Sequence, residues 1–101
     1  MREYTILPRT KTIAKKHGLV VLPAENTKYK LDVFKGSDYI ASVGANGYAD
    51  YPYYLEGEKR GLYETGYADK RRKLYLFRHK KDSETKGMLA KLLLWSWMKF
   101  A

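Results

Sequence analysis

The sequence predicts an α+β fold: a small antiparallel sheet, then a tyrosine-rich loop, then two C-terminal helices. Three observations carry that expectation. Residues 28–34 alternate, with Tyr29, Leu31 and Val33 on one face and Lys28, Lys30 and Asp32 on the other, the period of a half-buried strand. Residues 67–81, YADKRRKLYLFRHKK, concentrate seven of the twenty Lys and Arg residues behind a single acid, Asp69. Residues 88–98 form the most apolar stretch of the chain and follow almost at once.

Taken in order, residues 1–18 read as a basic N-terminal arm carrying Arg9, Lys11, Lys15 and Lys16, with Pro8 limiting regular structure. Residues 19–101 read as one small α+β domain. Residues 19–22 are a short β-prone run stopped by Pro23, and the polar turn 24–27 leads into the strand over 28–34. Lys35-Gly36-Ser37-Asp38 is turn chemistry, so residues 39–43 complete a hairpin. Gly44 to Gly47 break the pattern. The stretch that follows keeps neither a period of 2 nor one of 3.6 and reads as an ordered loop, with Tyr48, Tyr51, Tyr53 and Tyr54 as packing or contact residues.

Asp69 is placed to cap a helix over residues 70–81. On it Leu74 and Phe77 fall on one side, and Arg71, Tyr75 and Arg78 lie near one another on another. The run 74–77 fits a strand equally well. Asp82 or Ser83 would cap a last helix, weakly interrupted at Gly87 and continuing over 88–99, with Leu89, Leu92, Leu93 and Trp97 as its main stripe. A helix apolar nearly all round is buried, here by packing its Leu and Trp side chains on the sheet or by a partner.

The net charge is +9, unevenly spread. Residues 1–35 hold eight basic and three acidic side chains (+5), residues 36–66 two and five (−3), and residues 67–101 ten and three (+7). Charge of this kind favours polyanions without selecting a sequence. With 45 % hydrophobic and 15 % aromatic residues, the chain reads as folded rather than as a disordered basic tail. The absence of cysteine excludes disulfides, thiolate metal sites and cysteine nucleophiles, and fits a reducing intracellular compartment or a virion. The N-terminus lacks the apolar core of a signal peptide. The 88–98 run, broken by Lys91 and Ser96, falls well short of the ~20 residues of a membrane-spanning helix.

The functional signal is the cluster Lys70, Arg71, Arg72, Lys73, Arg78, Lys80 and Lys81, whose cations suit phosphate oxygens, with Tyr75 as a packing or stacking residue. The plain alternative is a solvated face. Aromatic stacking on single strands fits less well, since six of the ten tyrosines lie in the acidic middle. His79 beside Arg78, with Asp50, Tyr48 or Tyr51 brought near, sketches a small divalent-dependent nuclease. The acids are nevertheless scattered, His17 and His79 are isolated as metal ligands, and no phosphate-cradling glycine fingerprint or cofactor motif is present. The sequence therefore assigns no catalytic residue, metal or cofactor. Trp95 and Trp97, two apart, point to different sides of a helix, which makes one of them a candidate oligomer contact.

The order Gly44-x-x-Gly47-Tyr48-x-Asp50-Tyr51, then Asp69-Lys70-Arg71-Arg72-x-x-Tyr75-x-x-Arg78-His79-Lys80-Lys81, then Gly87-x-x-x-x-Leu92-Leu93-Leu94-Trp95, resembles a small family of proteins encoded mainly by large double-stranded DNA viruses. The resemblance covers residues 28–95. The chain departs from that pattern in a longer insertion over 52–67 and in Gly87-Met88-Leu89 where the family has an aromatic-rich lead-in. The resemblance implies a viral protein that is virion-associated or bound to nucleic acid, and it implies no catalytic residues. The expectation is a non-enzymatic basic protein contacting nucleic-acid phosphates through residues 70–81. The alternative is a minor virion or assembly protein that meets acidic protein surfaces.

Overall fold

The computed structural model describes residues 2–81 and 84–96. It has the expected α+β fold, with elements in the order α1 (Pro8–Lys16), β1 (Val20–Pro23), β2 (Tyr29–Lys35), β3 (Asp38–Ala45), α2 (Tyr51–Lys59), α3 (Tyr67–Arg78) and α4 (Thr85–Trp95). The sheet is an antiparallel meander, β1-β2-β3. Lys35 pairs with Asp38 across the two-residue turn, and a register shift follows Val33. Leu31, Val33 and Val43 are fully buried, and the core is completed by Tyr4 and Ile6 before α1 and by Ile13, Ala14, Ala68, Leu93 and Leu94 from the helices.

The basic arm is corrected first. Residues 8–16 form a helix, because proline at the first helical position starts a helix rather than breaking one. Thr10, Ile13 and Ala14, at i, i+3 and i+4, bury one face of it. The tyrosine-rich segment is not wholly loop either. Asp50 caps α2 by accepting from the Tyr53 backbone N–H at 3.3 Å, and Pro52 sits in the first turn. Gly57, inside α2, leaves space for the Tyr63 ring, which a Cβ there would meet at 2.5 Å.

Asp69 does not cap α3. The N-cap is Gly66, and the carboxylate of Glu58 reaches over from α2 to accept from the N–H groups of Gly66 (2.9 Å) and Ala68 (2.8 Å). Asp69 lies within the first turn and accepts from the Tyr51 hydroxyl at 2.7 Å. The expected caps of the last helix, Asp82 and Ser83, lie outside the described residues, as do Trp97 and the continuation to residue 99. Helix α4 packs on β3 as expected. It can do so because Gly44 has φ +79° and no side chain: a Cβ there would stand 2.7 Å from Leu94 Cδ1. No helix among the described residues is long and apolar enough to cross a membrane.

Lys30 is the largest departure from the alternating pattern. It belongs by period to the polar face of β2, yet it is 3 % exposed and pairs at 2.9 Å with Asp50, which is completely buried. The Tyr4 hydroxyl donates to the same Asp50 oxygen at 2.6 Å. Burial, and then the Asp50 charge, push the Tyr4 hydroxyl above the ordinary tyrosine range, while burial and the Asp69 hydrogen bond push Tyr51 to about 12. The folded state therefore holds these protons more tightly than the unfolded chain, where tyrosine titrates near 10. The stability they contribute is complete below the unfolded value and is lost as pH rises through the folded ones. Urea midpoints should accordingly fall from about pH 10 upward.

Candidate functional site

Helix α3 sorts its cations by helical geometry. Arg71, Tyr75 and Arg78 recur at i, i+4 and i+7 and line a groove of about 610 Å³ between α3, α4, the start of β2 and the end of β3. Lys70 and Lys73 are exposed and do not line it, and neither do Lys80 and Lys81 beyond the helix end. Lys80 instead holds its ammonium 4.9 Å from the Phe77 ring centroid.

Arg72 has another task. Its Nε donates to the Trp95 carbonyl at 2.9 Å, Arg9 Nη2 donates to the Ser96 carbonyl at 3.1 Å, and the Thr10 hydroxyl donates to the Leu93 carbonyl at 3.0 Å. Three side chains thus satisfy carbonyls that the end of α4 leaves without helical partners, and the two guanidinium charges suit the negative end of its dipole. Arg72, expected as a phosphate contact, thus commits its Nε to the end of α4 and does not line the groove. Arg72→Ala should lower stability by about 1.5 kcal/mol in urea unfolding and leave nucleic-acid affinity nearly unchanged.

Lys28 in the turn before β2 and Lys86 in the first turn of α4 complete the cationic wall with Arg71 and Arg78. Lys30 also lines the groove, but Asp50 neutralises it. No carboxylate stands among the described lining residues, and none of Lys28, Arg71, Arg78 and Lys86 forms an ion pair among the described residues. Arg71 lies 5.8 Å from the Tyr54 ring centroid, and its Nε is buried without a hydrogen-bond partner in the protein. A buried donor left open in this way is costly unless something else accepts from it.

The other wall is aromatic. Tyr75 is stacked on Trp95 at 4.2 Å with 6° between the rings, and on His79 at 4.2 Å on its other neighbour. Tyr75 is therefore a packing residue, its two faces covered. Trp95, the expected oligomer contact, is buried within the chain by that stack and by Tyr54, 6.3 Å away. Tyr48 also lines the groove, and at 75 % exposure it is the ring that offers an open face. Lys86 rests 3.9 Å from the centroid of Tyr29.

Of the nuclease sketch, Tyr48 and His79 line one groove and Asp50 stands apart from it. Asp50 accepts from Tyr4 and Lys30 at one oxygen and from the Tyr53 N–H at the other, and it does not line the groove that His79 reaches. Among the described residues no group of three His, Cys, Asp or Glu side chains is placed to hold a metal ion. What the groove can do chemically is hold an anion that carries a flat apolar group. Lys28 and Lys86 are the site residues the sequence did not single out, their only signal being a charge at the edge of an element, whereas Tyr48 is among the tyrosines the sequence offers as packing or contact residues.

No family model, no curated protein and no solved structure matches this chain.

Proposed function

We propose that this protein binds single-stranded nucleic acid without cleaving it, taking phosphates on Lys28, Arg71, Arg78 and Lys86 and an unpaired base against Tyr48. The observation that carries this reading is the groove itself, with four unneutralised cations beside aromatic rings and no carboxylate among the described lining residues. Aromatic faces beside a positive groove hold single strands, because every base has a π-face and every nucleotide a charge. A duplex keeps its bases stacked inside and offers the groove only backbone. The exposed Lys70, Lys73, Lys80 and Lys81 then act at longer range, steering the strand in. The motif resemblance suits such a role in a virus-encoded protein, in the infected cell or in the virion.

The test is a fluorescence-polarisation titration of nuclease-treated protein with single- and double-stranded oligonucleotides at 50 and 200 mM salt. With three phosphates engaged, single-strand affinity should drop roughly 15- to 20-fold across that range, and the duplex should bind more weakly throughout. Salt-insensitive binding, or a duplex that binds as well as the strand, would overturn the proposal. A second reading, assembly against a protein partner, draws on the apolar side chains Val20, Leu22, Tyr39 and Ile40 that the sheet leaves exposed. It predicts partner-driven protection of that face and no strand binding.

A further inference from the structure

Charge and volume together say more about the groove than that it takes phosphate. Lys28, Arg71, Arg78 and Lys86 bring four positive charges to a space of about 610 Å³, half enclosed by protein. Lys30 does not add to them, since Asp50 stands 2.9 Å away. The volume lies within the range of small-molecule sites and has room for a nucleotide unit, not for a long stretch of strand. An internal nucleotide brings one phosphodiester charge on each side. That leaves two of the four positive charges unmatched by phosphate. A terminal phosphate monoester carries about −1.5 to −2 at neutral pH, and each further phosphoryl group adds about one more charge.

We propose that the groove is a site for a nucleotide bearing a 5′ polyphosphate, either as the free nucleoside triphosphate or as the 5′ end of a strand. The proposal rests on reading the groove as a nucleotide site. The cations come from three parts of the chain: Lys28 from the turn before β2, Arg71 and Arg78 from α3, and Lys86 from α4. They therefore meet at one cavity from separate parts of the chain and not from one helix face alone, which suits a compact cluster of phosphoryl groups. Arg71 and Arg78 offer planar forks for paired oxygens, and the open Nε of Arg71 is one of those donors. Tyr48, exposed at the groove, takes the base.

The experiment compares one single-stranded oligonucleotide with a 5′-triphosphate, a 5′-monophosphate or a 5′-hydroxyl end, each titrated into the full chain, with free nucleoside triphosphate as competitor. The triphosphate strand should bind at least tenfold more tightly than the hydroxyl strand, with the monophosphate between them, since each added charge-assisted contact is worth about a factor of ten. The preference should vanish in Arg78→Ala/Lys86→Ala and persist in Lys70→Ala/Lys73→Ala. Displacement by free nucleoside triphosphate identifies the free nucleotide as sufficient; failure to displace a tightly bound triphosphate strand identifies the strand end. Equal affinity for the three ends overturns this inference and leaves strand binding standing. A preference that survives in the groove variant also overturns it, and binding of no strand at all removes both readings.

Discussion

Asp50→Ala should lower the stability of the protein by about 4 kcal/mol, the cost of leaving a buried ammonium without its counterion. The same substitution removes the acceptor for the Tyr4 hydroxyl and the side-chain cap of α2. Since a domain of this size has roughly 5–15 kcal/mol in total, the variant should melt about 20 °C lower or fail to fold at 37 °C. Asp50→Asn keeps an acceptor for Tyr4 and a cap for Tyr53 but not the charge, and it should fall between. Lys30→Met combined with Asp50→Asn removes both charges together, and a buried pair replaced as a pair costs far less than a pair that is broken. The double variant should therefore be more stable than Asp50→Ala. If it is not, the charge on Lys30 is solvated in a way its 3 % exposure does not allow.

The largest effect on binding should come from Arg71→Ala/Arg78→Ala. Each removes one cation from the groove wall without touching the core, since Arg78 is exposed and Arg71 half-buried. Hydrogen bonds to charged groups are worth about 1.5–3 kcal/mol apiece, so the pair should weaken single-strand binding by roughly 100-fold or more. The salt slope should become shallower by about 1.4, two contacts at ~0.7 each. Tyr48→Ala should cost about tenfold through lost stacking, with no change in slope because no charge is removed. Lys70→Ala/Lys73→Ala removes as much charge as the arginine pair but from outside the groove. It should weaken binding only a few-fold, mostly through slower association. Equal losses in the two double variants would mean that charge alone, and not the groove, holds the strand.

Local rules reached the elements whose signals were local. The alternation of 29, 31 and 33 marks the buried face of β2, and the spacing of Arg71, Tyr75 and Arg78 places them on one side of α3. Pro8 misleads, because the same residue that breaks a helix interior opens a helix at its first turn, as Pro52 also does in α2. Lys30 could not be placed by period, because its burial depends on Asp50, twenty residues on, and on Leu94 closing over Gly44. The tie from Arg72 to the end of α4 is not legible locally, because the Trp95 carbonyl it serves lies twenty-three residues on. The groove was the least legible feature, since Lys28, Tyr48 and Lys86 are ordinary surface residues in sequence and become a site only when three elements meet.

The groove as the binding surface is tested most directly by titrating a short 5′-triphosphorylated single strand into isotope-labelled protein and following backbone amide and indole resonances by NMR. Resonances of Lys28, Tyr48, Arg71, Tyr75, Arg78, Lys86 and Trp95 should shift together and saturate at one equivalent, with Lys70 and Lys73 moving little. Shifts confined to Lys70, Lys73, Lys80 and Lys81, with the groove resonances unmoved, would contradict the account and return the binding to the outer face of α3.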